Sequence, residues 1–355
     1  MSEPLAAPVS QAEVFRRLIA ATGPISLAHY MGEANARYYT SRDPLGAGGD
    51  FITAPEISQM FGELIGLWLA DTWLRAGRPE PVHYVELGPG RGTLARDALR
   101  AMQRHGLEPR AHLVESSVTL KHAQLGAVPE AVFHHDLSTV PLKGPVLLVA
   151  NEFLDALPVR QLIKTGRGWR EVMVATEDGR FVPVAGDRPM DAALPEHLRE
   201  AEEGTVIETS PAAASIVYEV AGRLAAQGGA ALFIDYGHDR PRTGSTFQAV
   251  RAHQKVDPFD DPGEADLTAH VDFATLAPMA EARGARWLGT VTQGAWLTAL
   301  GIEQRAEALS AAAPHQRAAV QAAKDRLIGA EQMGDLFKVM GFAGPSWPEG
   351  AGFRC

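Results

Sequence analysis

The segment Val85-Glu86-Leu87-Gly88-Pro89-Gly90-Arg91-Gly92 sets glycines at every second position after an apolar run, with an acid two residues before the first. Glycine permits a tight strand-to-helix turn, and its missing side chain lets a ligand approach the backbone. A dinucleotide site needs its third glycine one residue later, so that a pyrophosphate can sit on the helix N-terminus. Here position 93 is threonine. An acid at Glu86 is unwelcome beside a pyrophosphate and suits an ammonium. The pattern therefore points to S-adenosylmethionine, which carries an ammonium, a carboxylate and a sulfonium but no phosphate, and assigns Glu86, Gly88, Gly90 and Gly92 to it. Glu115 ends the next apolar run, where an acid can accept from both ribose hydroxyls, although dehydrogenases use this position too. Asp136 follows the third run and is placed to meet the adenine edge. In isolation the glycines could form a plain turn with solvated acids around it; strand, helix and second-strand acid together favour the cofactor.

A second group is Asn151-Glu152-Phe153-Leu154-Asp155-Ala156-Leu157-Pro158, directly after a fourth apolar run. In open α/β sheets ligands bind beyond the carboxyl ends of the strands, where the strand order reverses. Asn151 and Glu152 should then face the glycine loop. Glu152 and Asp155 could grip a guanidinium bidentately, and a nearby carboxylate or histidine would help the attacking nitrogen lose its proton. Asp155 could instead cap a following helix. Asp235, after a fifth run, either orients the acceptor or satisfies loop donors. His253, Asp257 and His270 match no metal-ligand spacing, and no metal is expected.

These residues need elements to hold them. Helices are predicted over 11–21 and 25–39, and a long one from about Pro55, with Thr53 and Glu56 at capping-box spacing and Ile57, Met60, Phe61, Leu64, Ile65 and Trp68 on its buried face. Strands over 82–87, 111–115, 132–134, 146–150, 230–234, 286–291 and 336–342 alternate with helical stretches, which predicts a mainly parallel sheet covered on both faces. The expected fold is a Rossmann-like seven-stranded α/β methyltransferase sheet. Residues 1–78 read as an N-terminal helical extension or cap. Residues 79–355 read as the core, with insertions at about 159–205 and 238–275. The first insertion contains a hairpin turning at Glu177-Asp178-Gly179, the second reads as irregular, and the Ala-rich 306–327 as one helix.

The 355 residues are 46% hydrophobic, enough for a proper core, and the longest apolar stretch is interrupted by Glu63 and Asp71. One cysteine, Cys355, can make no intrachain disulfide. With no signal-like leader either, the expected location is cytoplasmic. A net charge of −10 argues against nucleic acid and is compatible with a cationic partner.

Several segments together carry a family resemblance. They are Gly49-Asp50-Phe51-Ile52-Thr53-Ala54-Pro55-Glu56-Ile57-Ser58-Gln59-Met60-Phe61-Gly62-Glu63, the glycine loop with Glu86, Asn151 to Pro158, and Asp235-Tyr236-Gly237. Asp257-Pro258-Phe259, Pro262 to Phe273, Thr292-Gln293-Gly294 and Met333 to Val339 complete the set. The chain resembles the MidA family, S-adenosylmethionine-dependent methyltransferases linked in mitochondria to complex I assembly. One departure is Arg160-Gln161-Leu162-Ile163, where Arg-Gln-Phe is more typical. The resemblance implies a protein arginine acceptor, of the kind carried by a complex I subunit. It also implies that Asp50, Phe51, Thr53 and Glu56 lie over the cleft, excluding water and orienting the acceptor; His253 is kept as a further acceptor or cap contact. A small-metabolite methyltransferase, and an assembly factor that binds the cofactor without essential catalysis, remain alternatives at this point.

Overall fold

The computed structural model describes residues 9–41, 53–194 and 196–353. The chain divides into two compact units. The sheet unit comprises Asp43–Asp155, Ala213–Pro241 and His270–Cys355, and the insertion unit Met1–Arg42, Ala156–Ala212 and Arg242–Ala269. The stretch 1–78, read above as one extension, is shared between them.

In the sheet unit, β1 (His83–Leu87), β2 (Arg110–Val114), β3 (Val132–His134), β4 (Val146–Asn151), β5 (Gly229–His238), β6 (Arg286–Thr292) and β7 (Phe337–Ala343) lie in the order β6-β7-β5-β4-β1-β2-β3. Only β7 runs antiparallel to its neighbours along this path. The order reverses between β1 and β4, where Leu87 pairs with Ala150. β1 and β4 are buried along their whole lengths. That is why they read as continuous apolar runs rather than alternating ones.

The long helix expected from Pro55 is two helices, α1 (Ala54–Ile57) and α2 (Gln59–Arg75). Ser58 takes an extended conformation between them, and its Oγ accepts the Met60 N–H at 3.2 Å. A serine N-cap satisfies a donor that would otherwise lack a partner, so the break falls there. The capping box predicted for Thr53 and Glu56 does not form: Thr53 makes no side-chain cap, and Glu56 is engaged elsewhere. α2 buries Phe61, Ile65, Trp68 and Leu69, at about 2 kcal/mol per large side chain. A Cβ at Gly66 would come within 2.3 Å of the Ala98 carbonyl oxygen on α3 (Thr93–Arg104), so glycine there lets the two helices touch.

Three buried histidines form a chain beneath β1 to β3. His83 Nδ1 lies 2.9 Å from His112 Nε2, and His112 Nδ1 lies 2.9 Å from His134 Nε2. The ends meet the Lys143 carbonyl at 2.9 Å and the Thr139 hydroxyl at 2.8 Å.

The insertion unit has its own apolar clusters, one around Phe15, Tyr30, Val174 and Phe181 and one around Trp169, Leu162 and Ile207. The expected hairpin is present, Gly168–Glu177 paired with Arg180–Pro189, turning at Asp178 and Gly179 with positive φ at both. It belongs to a larger sheet with Arg160–Thr165, Val206–Thr209 and Ile25–Ser26. The stretch expected to be irregular contains a small sheet of Gln248–Arg251, Gln254–Val256 and Asp266–Thr268. Strands of three or four residues are too short for periodicity to show. The Ala-rich segment is likewise two helices, Ile302–Ala312 and Arg317–Ile328, parted at Pro314, where the missing N–H and the ring's bulk end the first.

Candidate active site

β1 delivers Glu86 and, directly after it, the glycine loop. Gly88, Gly90 and Gly92 all have positive φ, at 61°, 54° and 80°, a region that L side chains rarely adopt. At Gly88 a Cβ would also stand 2.8 Å from the Phe153 ring. The loop therefore needs glycine for its turn and for the close approach of the segment after β4.

Glu86 is buried, and its Oε2 accepts the Tyr84 hydroxyl at 2.5 Å. Burial pushes its pKa up to about 8, with the Tyr84 hydrogen bond pulling the other way. A carboxylate in such a place is half of an ion pair. Glu115 follows β2. Its Oε1 accepts the Ser117 N–H at 2.7 Å and its Oε2 the Gln124 amide at 3.3 Å. Burial raises its pKa, opposed by these hydrogen bonds. These bonds, with a third from the Ser116 N–H, still leave acceptor capacity on the carboxylate for a ribose hydroxyl. Asp136, after β3, is exposed and receives the Ser138 N–H at 2.8 Å; hydrogen bonds from Ser138 hold its pKa low.

Opposite the loop, Asn151 ends β4 and Glu152 turns out of it with φ 50°. A non-glycine residue there is strained by roughly 1–3 kcal/mol, and such strain clusters at functional sites. Glu152 Oε1 accepts the Ala54 N–H and the Asn151 amide, both at 3.1 Å. Among the described residues no hydrogen bond is made to Oε2. Ala54 donates from the first turn of α1, so Glu152 takes the N-terminal donor that Thr53 does not cap. Glu56 Oε1 accepts the Thr93 hydroxyl at 2.5 Å, just past Gly92. The half-buried Glu152 has its pKa raised to about 7 by burial, with Asp155 adding to the rise.

Asp235, placed above among the reaction residues, has both oxygens occupied by backbone. Its Oδ2 accepts the N–H groups of Phe153, Leu154 and Asp155 at 3.1, 2.9 and 3.2 Å, and its Oδ1 that of Tyr236 at 3.0 Å. Burial and the neighbouring carboxylates of Asp155 and Glu152 push this group's proton affinity up. Of the two alternatives open for Asp235, loop ordering is the one its contacts match. No helix follows Asp155, so it has none to cap; the chain turns there and enters the strand at Arg160.

The structure thus draws Glu86, Gly88, Gly90, Gly92, Glu115, Asn151, Glu152, Asp155, Asp235, Thr53 and Glu56 onto elements around the reversal point of one sheet. His253 belongs to the insertion unit, in an exposed two-residue turn with Ala252, both at positive φ. Asp50 and Phe51 lie outside the described residues. One contributor was missed from sequence. Gln124, fully buried on α4 (Val118–Ala127), donates to the Gly90 carbonyl at 2.7 Å and to Glu115. It sits nine residues past Glu115 with no motif around it, so nothing in the sequence marks it.

The donor set fits S-adenosylmethionine. Two buried acceptors, Asn151 Oδ1 and Gln124 Oε1, have no hydrogen-bond partner among the described residues. Among the described residues Glu86 has no cation against it, and Glu115 keeps acceptor capacity.

Comparison with known proteins agrees. A family profile described as a putative S-adenosyl-L-methionine-dependent methyltransferase matches residues 64–291. The protein arginine methyltransferase NDUFAF7, mitochondrial, of Danio rerio is 39% identical over 90% of this chain and 83% of its own. The Homo sapiens protein of that name is 38% identical over 90% and 80%. A likely methyl transferase from Burkholderia thailandensis, solved bound to S-adenosyl-homocysteine, superimposes with a TM-score of 0.83 at 31% identity, covering 96% and 95% of the two chains. The relatives are named as mitochondrial, which overturns the cytoplasmic location expected from the leader and thiol content. With the site and the sheet order in agreement, the chain belongs to the family of S-adenosyl-L-methionine-dependent methyltransferases that includes these proteins, and S-adenosylmethionine is its cofactor.

Proposed function

We propose that this methyltransferase modifies an arginine side chain of a partner protein, and that the partner is a subunit of respiratory complex I or its homologue. The observation that carries the reading is Glu152: a carboxylate with one oxygen fixed by two donors, the other without a hydrogen bond among the described residues, beside a second carboxylate at Asp155. The names of the relatives support an arginine acceptor.

In this reading Glu86 binds the cofactor's ammonium, Glu115 its ribose hydroxyls and Asp136 its adenine edge, while Gly88, Gly90 and Gly92 admit it to the backbone. S-adenosylmethionine would supply an electrophilic methyl group, with S-adenosylhomocysteine as the leaving group. Glu152 Oε2 and Asp155 receive the guanidinium N–H groups and orient one nitrogen towards the glycine loop. Positioning of this kind supplies much of the acceleration in an in-line displacement. The guanidinium must release a proton as its nitrogen is alkylated, and Glu152, with a pKa of about 7, can take it at neutral pH. Asp235 holds the Phe153–Asp155 backbone in place and is a positioning residue. Thr53 and Glu56 shield the reacting groups from water.

The Glu152→Gln enzyme tests this. Glutamine keeps an oxygen for the Ala54 and Asn151 donors but cannot take a proton or pair with a guanidinium. We expect kcat for arginine methylation to fall by about 100-fold or more, with cofactor affinity within a few-fold of wild type. Undiminished kcat would remove Glu152 from the reaction.

A further inference from the structure

Gln124 has no role in the chemistry described so far, yet it is fully buried and touches two parts of the cofactor site. Its Nε2 donates to Gly90 O at 2.7 Å and to Glu115 Oε2 at 3.3 Å. The Gly90 carbonyl can only accept, so the amide nitrogen must face it, and this fixes which end of the side chain meets Glu115. The other end, Oε1, is buried with no hydrogen-bond partner among the described residues. A leucine of similar volume would pack there without stranding an acceptor. The amide is therefore held for its two donations rather than for packing.

We propose that Gln124 is a positioning residue for cofactor binding: it locks Glu115 as a pure acceptor for the ribose diol and ties that acid to the glycine loop. The argument rests on the ribose role given to Glu115 above. Both oxygens of Glu115 accept fixed donors, Gln124 on Oε2 and the Ser117 N–H on Oε1, and a proton on the carboxyl would weaken both bonds. The other groups facing Glu115 are the Ser116 N–H and the Lys121 ammonium, both of which also favour its ionised form. Its own N–H is bonded to the carbonyl of His134, the neighbouring titratable residue on β3. Without Gln124, Glu115 keeps its burial and loses one of the bonds that oppose protonation. The geometry thus links an uncharged residue, which never titrates, to the pH range over which the site can bind a diol.

The test uses the full-length protein and 5′-methylthioadenosine, which has the ribose and adenine but no ammonium to engage Glu86. Its dissociation constant is measured from pH 6 to 8 for wild type, Gln124→Met and Glu115→Ala. Wild type should stay flat. Gln124→Met should bind about ten-fold more weakly at pH 8 and weaken further as the pH falls, a trend that a loss of packing alone would not produce. Glu115→Ala should bind weakly at every pH. If Gln124→Met parallels wild type while Glu115→Ala is weak, the positioning role is overturned and the ribose role stands. If Glu115→Ala binds as well as wild type, both fall. Should the methionine variant fail to fold, the Gln124 side-chain amide resonances in wild type give the same answer. They should shift with the titration of Glu115, and amide resonances indifferent to it would overturn the proposal.

Discussion

Glu86 is a carboxylate with a hydroxyl for company and no cation among the described residues, held in a fully buried strand. Its raised pKa, about 8, means that the ligand-free protein binds a proton there which the unfolded chain, near pH 4.5, has released. The sign follows directly. Stability from this group is complete below about pH 4.5 and is lost as the pH rises through 8. An ammonium against Glu86 reverses the trend, because binding expels the proton. Affinity for S-adenosylmethionine should therefore rise between pH 6 and 8, by up to roughly ten-fold per unit. Titration calorimetry in two buffers of different ionisation enthalpy should show proton release, and Glu86→Gln should abolish it. A release unchanged in that variant would place the ammonium elsewhere. Glu86 and Glu115 were legible in sequence because each sits at the carboxyl end of an apolar run that must be a strand. Gln124 was not, because a lone glutamine on a helix gives no signal until the fold sets Gly90 and Glu115 on either side of it. Asp235 was legible as a residue and ambiguous as a role, since only coordinates show four backbone donors converging on it.

The elements around the site were readable where their signals are long. β1 and β4 are buried over five residues or more, so their positions could be taken from sequence nearly to the residue, whereas β5 runs four residues past the end expected for it. The break at Ser58 could not, because the apolar face of α2 continues past it and hides the cap. The capping spacing at Thr53 and Glu56 was real but put to another use, with Glu152 taking the helix donor and Thr93 engaging Glu56. The histidine chain carries a prediction at this scale. The Lys143 carbonyl accepts only, so His83 donates to it from Nε2; in a chain of neutral rings His112 and His134 likewise donate from Nε2 and accept at Nδ1, with His134 Nδ1 2.8 Å from the Thr139 hydroxyl. Burial favours the neutral forms of His112 and His134, and a proton added at His112 Nδ1 would meet the His134 donor. Burial pushes His112 down to about 4, while an unfolded histidine titrates near 6.5. Stability should be lost as the pH falls through this window, by on the order of 3 kcal/mol. Acid denaturation of His112→Phe followed by circular dichroism should show a shallower pH dependence between 6.5 and 4. An unchanged slope would mean that the chain does not set acid stability.

At the scale of the whole molecule, the alternation of strands and helices identified the doubly wound sheet, and the reversal between β1 and β4 put the glycine loop beside Asn151 and Glu152. The short strands of the insertion unit escaped because three or four residues carry too little pattern to separate from loop. The net charge of −10 bears on the acceptor. A cationic arginine segment approaching an acidic enzyme is steered by charge, and that steering is screened by salt. Raising ionic strength from about 0.05 to 0.5 M should increase KM for the acceptor several-fold while leaving kcat nearly unchanged. A KM indifferent to salt would argue for an acceptor recognised without charge.

The most direct test of arginine methylation follows the label itself. Purified protein is incubated with S-adenosylmethionine carrying an isotopic methyl group and with candidate complex I subunits, and the acceptor is hydrolysed and its amino acids separated. The account predicts label in methylated arginine with the wild-type enzyme and its near-absence with Glu152→Gln. Label recovered in another amino acid or in a small molecule, or arginine methylation undiminished in Glu152→Gln, would contradict it.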